Sequence, residues 1–198
     1  MKIVEKIAIQ VPFKGNRDYL HSTDIYNQIF TLFPKIECLE LSFFKRLTHP
    51  IRIETLSAPF DKANLDAYVE LSFGNQRNSF GLFQDKDQLI QERIPYDENL
   101  VVAESKVETR VIYLDSVFKF TPIEVVVALN KRLLSKVLSS EIKWALTRLQ
   151  ITSPLIHGQY KLVLEKNLGF RLTKTAIYID NIHYGYIYFS DFSGAFAS

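Results

Sequence analysis

The feature that most limits how this chain can fold is a set of landmarks repeated across its two halves. Phe80-Gly81-Leu82-Phe83, late in the first half, is answered by Tyr184-Gly185-Tyr186-Ile187, late in the second. Pro50 is answered by Pro154 at the same offset of 104 residues as the glycines (185 − 81 = 154 − 50). A helix start at His21-Ser22-Thr23 has its counterpart at Phe120-Thr121-Pro122, about 100 residues later. Landmarks recurring in one order at nearly one spacing predict two copies of one structural unit. The expected units are 1-92 and 93-198, forming an internal pseudo-dimer whose groove is the expected place for function. Each copy is long enough for a modest core.

Within each copy the pattern predicts strand, helix, then long strands. The first strand is expected over 3–13, where charged and apolar residues alternate, followed by the turn composition Lys14-Gly15-Asn16. A helix over 23–33 is predicted from Ser22 or Thr23 as cap, Asp24 in the first turn and Pro34 as stop. Extended segments are predicted over 37–56 and 65–73, and another runs through Phe83 after the turn at 75–78. The second copy is expected to open with a strand over 101–114. Its helix, 121–138, carries the clearest signal, a capping box in Thr121-Pro122-Ile123-Glu124 with proline at the first helical position. Val125-Val126-Val127-Ala128-Leu129 is apolar all round, so that helix must be wrapped by other structure. Strands are predicted over 143–156, 160–165, 170–179 and 184–189, with a hairpin turn at Asp180-Asn181 and a mobile tail over 193–198. No second helix is expected in either copy, which counts against a ferredoxin-like repeat.

This α+β order resembles the hotdog fold twice over. In that fold an antiparallel sheet wraps one central helix. The residues carrying the resemblance are the helix at 121–138, the strand leading to Ser153-Pro154-Leu155 and the Tyr184-Gly185 strand, with partners in the helix at 23–33, Thr48-His49-Pro50-Ile51 and Phe80-Gly81. The chain is thus similar to a hotdog dimer fused into one polypeptide, within the thioesterase and dehydratase superfamily. The resemblance implies action on an acyl thioester by hydrolysis, acyl transfer or dehydration. Its substrates would be carried by coenzyme A or by the phosphopantetheine of an acyl carrier protein, with no permanently bound cofactor.

The candidate catalytic residues are His21, Asp24 and Glu124. His21 and Asp24 stand at one helix start, where backbone N–H groups and the helix dipole favour negative charge on a carbonyl oxygen. An imidazole or carboxylate there can move a proton. Glu124 stands at the corresponding start of the other helix, where capping explains it completely without a catalytic role. The familiar His-Phe-Pro-Gly segment of hotdog dehydratases is missing, as is the thioesterase signature of Asp followed by Gly-His-Val-Asn. Lys131 and Arg132, later in the second helix with Lys136, are the candidates for binding a cofactor phosphate or a carrier's acidic face. They also suit the negative end of a helix.

Other classes are disfavoured. Lysines and arginines (24) nearly balance aspartates and glutamates (22), giving net +2, so nucleic acid is an unlikely partner on charge alone. Tyr184, Tyr186 and Tyr188 alternate along one strand and are expected to pack rather than stack bases. His49, His157 and His183 have no partner at metal-ligand spacing, and a single cysteine, Cys38, cannot build a thiolate zinc site, so no metal is expected. That lone cysteine, the absence of a signal-like N-terminus and the lack of any run long enough to span a bilayer predict a soluble cytoplasmic protein. Further homo-oligomerisation is left open. The alternative to an enzyme is a non-catalytic acyl-ligand-binding or structural protein of the same fold.

Overall fold

The computed structural model describes residues 6–57, 59–115, 118–139, 141–169 and 171–191. Contacts divide the chain into two compact units, Met1–Tyr96 and Asp97–Ser198. Each has the hotdog arrangement of an antiparallel sheet with one long helix.

The first unit runs β1 (Ile7–Ile9), β2 (Phe13–Lys14), α1 (Ser22–Leu32), β3 (Cys38–Phe43), β4 (Ile51–Thr55), β5 (Ala67–Phe73), β6 (Gln76–Gln84) and β7 (Arg93–Ile94). Its antiparallel sheet has the order β1-β4-β6-β5-β3. β2 and β7 form a separate parallel pair. The expected first strand is thus broken, and its start lies outside the described residues. α1 is capped by His21, one residue earlier than expected. The His21 backbone is extended, and its carbonyl accepts from the N–H groups of Asp24 and Ile25 at 2.9 and 3.4 Å. Phe33 closes the helix, and Pro34 cannot continue it. The Phe33 ring then meets Phe73 and Phe80 of the sheet at 6.4 and 5.2 Å, while Ile25 and Ile29 are fully buried.

The second unit runs α2 (Glu98–Val102), β8 (Lys106–Glu108), β9 (Val111–Leu114), α3 (Pro122–Val137), β10 (Trp144–Ile151), β11 (Tyr160–Leu168), β12 (Leu172–Ile179) and β13 (Ile182–Asp191). Its sheet order is β8-β9-β11-β12-β13-β10, antiparallel throughout. At the head of α3, the Glu124 carboxylate accepts from the Thr121 N–H at 2.8 Å and from its hydroxyl at 2.9 Å. This cap outweighs the strand preference of the valines, because Val125, Val126, Val127 and Leu129 are all buried against the sheet. Asp180 and Asn181 both have positive φ, 50° and 62°, as the tight β12–β13 turn requires. Phe170 and the tail over 193–198 lie outside the described residues.

Two expectations are corrected. The strand predicted over 101–114 is instead α2 followed by β8 and β9. Asp97 accepts from the Asn99 N–H at 2.9 Å, which starts a helical turn, and Val101 and Val102 are buried. Each unit also repeats the order of elements without repeating the strand pairing. The strand after the long helix pairs with the first strand of the β5–β6 hairpin in the first unit (β3 with β5), but with the second strand of the β12–β13 hairpin in the second (β10 with β13). These two hairpins are therefore inserted in opposite senses. The two landmark glycines consequently serve different ends. A Cβ on Gly81 would meet the side-chain tips of Phe83 and Leu65 at 2.8 and 3.0 Å. On Gly185, at φ +133°, it would lie 2.0 Å from the Gln150 carbonyl oxygen of the neighbouring strand.

Gly185→Ala should accordingly cost at least about 1–3 kcal/mol of strain and more than Gly81→Ala, whose obstructing side chains can rotate. Equal losses in denaturant titrations would contradict that reading. Leu129→Ala should cost about 2–5 kcal/mol, the range for a buried leucine; a loss within about 0.5 kcal/mol, typical of a surface position, would show that α3 is not the core of its unit.

Candidate functional site

A buried polar cluster forms where α1 begins. His21 is only 2 % exposed, and Thr23 is fully buried. Nδ1 of His21 lies 2.6 Å from the Thr23 hydroxyl. The same hydroxyl oxygen accepts from the Lys14 ammonium at 3.5 Å, and that ammonium pairs with the Asp24 carboxylate at 2.5 Å. Lys14 itself is 4 % exposed. Imidazole, hydroxyl, ammonium and carboxylate therefore form one chain of contacts in a desolvated setting. Electrostatic interactions are stronger there than at a wet surface.

The segment containing β7 covers this cluster. Parallel pairing joins Phe13 and Lys14 to Arg93 and Ile94. The Phe13 N–H donates to Glu92 at 3.0 Å, and the Gly15 N–H to Ile94 at 2.9 Å. Arg93 donates to the carbonyls of Gly15 and Arg17 at 2.5 and 2.7 Å. These bonds carry the chain to Tyr96. Its ring centroid lies 5.4 Å from that of His21 and 5.1 Å from the Lys14 ammonium, with the Arg17 guanidinium 5.4 Å away. Gly15 has φ +56°, and a Cβ there would meet the Tyr96 carbonyl at 3.0 Å, so the close approach of the two segments uses its missing side chain.

The structure thus brings His21 and Asp24 together and adds Lys14, Thr23 and Tyr96. Sequence reasoning missed Lys14 and Tyr96. Lys14 stands in a turn composition, where a lysine is normally solvated, and Tyr96 in the turn-forming run Ile94-Pro95-Tyr96-Asp97, which carries no helix or strand pattern of its own. Only the pairing of β2 with β7, far apart in sequence, reveals them. Glu124 lies in the other unit, where its carboxylate caps α3. Tyr19 lies under the Arg46 guanidinium at 5.1 Å, and Tyr26 is buried beside Phe30.

Lys131 and Arg132 line an open cleft of about 360 Å³ between α2 and α3. Ser135, Lys136, Glu98 and Asn99 also line it. Lys131 pairs with Glu98 at 3.0 Å. Three cations face one carboxylate, so the cleft favours an anion, and Ser135 and Asn99 offer neutral hydrogen bonds beside them. Among the described residues no group of three His, Cys, Asp or Glu side chains is placed to hold a metal ion. No helix among them is long and apolar enough to cross a membrane.

No family model matches this sequence, and no curated protein matches it. Solved structures do. A tesB protein of Mycobacterium avium subspecies paratuberculosis shares 9 % identity, with 93 % of this chain and 91 % of that one covered and a TM-score of 0.48. An acyl-ACP thioesterase from Bacteroides thetaiotaomicron shares 8 % identity over 93 % and 96 % of the two chains, with a TM-score of 0.44. The pyran synthase domain from module nine of the sorangicin pathway shares 8 % identity over 94 % of each chain, with a TM-score of 0.42. At these scores the hotdog architecture rests on the strand pairing and the helices themselves.

Removing Lys14 alone takes an ammonium away from a carboxylate in a mostly desolvated place. Lys14→Met should cost about 3–5 kcal/mol, as for a buried pair that loses one member, and Lys14→Met combined with Asp24→Asn should recover part of that loss. Chemical denaturation of the single and double variants measures the coupling. Additive losses would mean that the pair is not a unit.

Proposed function

We propose that this protein acts on acyl thioesters, with the Lys14–Asp24–Thr23–His21 cluster as its chemical centre. The observation that carries the proposal is the burial of Lys14, Thr23 and His21, joined in one chain of contacts with the half-buried Asp24, at the start of a hotdog-type central helix. A thioester carbonyl placed there would find a helix N-terminus and a lysine ammonium, both of which stabilise negative charge developing on oxygen. Thr23 engages Nδ1 of His21, so the proton would move at Nε2. Asp24 holds Lys14 and so fixes the ammonium in place.

Hydrolysis is the reaction that this set of groups performs with the fewest additions. His21 takes a proton from water as the water oxygen bonds to the thioester carbonyl carbon. The tetrahedral intermediate collapses, the C–S bond breaks, and His21 returns the proton to the departing sulfur. The products are a carboxylic acid and a free thiol, with no oxidant or reductant consumed. Glu124 enters this scheme only through the fold, as the cap of α3. In the second unit, taken by itself, the cleft between α2 and α3 is proposed as a phosphate-binding site, with Arg132 and Lys136 as ligands and Lys131 held beside them by Glu98.

One observation favours a second, non-catalytic reading. Tyr96 packs on His21, which is almost wholly shielded, as a structural histidine or the floor of an acyl-binding pocket would be. The two readings separate in a thiol-release assay over acyl-CoA and acyl-carrier-protein substrates of graded chain length. The catalytic reading expects turnover that falls about 10²–10⁴-fold in His21→Ala, the range for loss of a general acid or base, at a temperature where circular dichroism shows the variant still folded. Turnover that survives His21→Ala intact removes the residue from the mechanism. Acyl-ligand binding without release of thiol establishes the non-catalytic protein instead.

A further inference from the structure

The second unit's sheet has an outer face that carries two cross-strand rows of cations and tyrosines, and in the first row the two alternate from strand to strand. Register pairs Lys106 of β8 with Tyr113 of β9, Tyr113 with Lys161 of β11, Lys161 with Tyr178 of β12, and Tyr178 with His183 of β13. These five side chains form one cross-strand row. A second row runs from Lys166 through Lys174 and Tyr188 to Arg148. Tyr186 lies between the rows. All are half-buried or exposed, whereas Leu162, Ile177 and Ile187, on the opposite side of the same strands, are fully buried.

The contacts within the rows are cation–π in character. The Lys174 ammonium sits 3.4 Å from the Tyr186 ring centroid, and the Arg148 guanidinium carbon 5.6 Å from that of Tyr188. The Lys161 ammonium lies 5.7 Å from the Tyr178 ring and 6.0 Å from the Tyr113 ring. Glu165 pairs with Lys174 at 3.0 Å, and Glu108 is the other carboxylate on this side. Burial alone would lower the Lys174 pKa, but the hydrogen bond and charge of Glu165 hold it above the ordinary lysine value. Lys106, Lys161 and Lys166 make no ion pair among the described residues. The chain's overall balance of charge conceals this concentration, in which, among the described strand residues, five cations share the face with Glu108 and Glu165.

We propose that this face binds single-stranded nucleic acid, with phosphates on Lys106, Lys161, Lys166 and Arg148 and unpaired bases on the tyrosine rings. Bases stack on aromatic side chains in a sequence-tolerant way, while a positive track follows the backbone. Strands lie about 4.8 Å apart, which puts Tyr113 and Tyr178, two strands apart, at about 10 Å with a lysine between them. That alternation of ring and charge matches the alternation of base and phosphate. Ammonium groups resting on ring faces are already placed to move to phosphates when bases take their positions. An acidic protein would use the lysines but has no equivalent need for the rings. This binding function is independent of the thioester reading.

The test is fluorescence anisotropy of the full chain with labelled oligouridylate and oligothymidylate of about 12 nucleotides, within the site sizes of single-strand binders. Binding should weaken with salt between about 50 and 200 mM, with a log–log slope of about −2 to −3, as for three or four neutralised phosphates on a single strand. Lys161→Glu with Lys166→Glu should weaken it at least about 10-fold, and Lys161→Gln with Lys166→Gln should repeat the effect with less perturbation. Tyr178→Leu and Tyr186→Leu should each weaken it about 5-fold or more, the lower range for one stacked base, without changing the salt slope. Binding of either oligonucleotide with this pattern supports the proposal, and preference for the uridylate adds contacts to the ribose hydroxyl. No anisotropy change at up to about 100 μM protein, the weak end of non-specific binding, overturns it. Lysine variants that weaken binding while the tyrosine variants do not would also overturn it, leaving a surface for polyanions or acidic proteins in general.

Discussion

A lysine ammonium is costly to remove from water, and Lys14 is buried. Asp24 makes this tolerable by placing a carboxylate against the ammonium at 2.5 Å. Much of the first unit's polar interior follows from that contact. The pair ties β2 to the first turn of α1. β2 in turn holds β7 by parallel pairing, and β7 delivers Tyr96 over His21. Thr23, buried between the imidazole and the ammonium, gives both a hydrogen-bond partner and fixes the imidazole at Nδ1. Charge, hydroxyl and ring are thus arranged by one ionic contact and one short parallel pairing.

What was legible in the sequence depended on how local the determining contacts are. α3 was clear because its start is written in four consecutive residues, Thr121 to Glu124, and the structure uses that cap. α1 was legible in extent but not in its cap. Ser22 and Thr23 are the usual capping types, yet His21 takes the extended backbone position and Thr23 turns to the imidazole instead. α2 was missed because Val101 and Val102 favour strands by type, and the Asp97 side chain that starts the helical turn carried less weight than the valines. Within the site, His21 and Asp24 were visible beside a helix start. Lys14 and Tyr96 were not, since pairing between segments far apart in sequence brings them there.

The repeat itself shows where such reading stops. Gly81 and Gly185, and Pro50 and Pro154, correctly marked one order of elements used twice. They did not reveal that the β5–β6 hairpin is inserted the other way round from the β12–β13 hairpin. Hairpin turns are local, but which edge of a hairpin meets the older strand is decided by side chains across the sheet. The same holds for the tyrosines of β13. Alternation along one strand suggested packing, which Tyr184 shows by its burial, and only register across the neighbouring strands shows Lys174 beside Tyr186 and Arg148 beside Tyr188.

An acyl-thioester substrate that meets the buried cluster at the start of α1 must perturb His21. This is tested most directly by observing the His21 imidazole in nitrogen-15 NMR while a non-hydrolysable acyl-pantetheine thioether is titrated into the wild-type protein. The account predicts saturable shifts of the His21 ring resonances that track binding and vanish in His21→Ala without loss of the other histidine signals. Saturable binding that leaves the His21 resonances in place would contradict it.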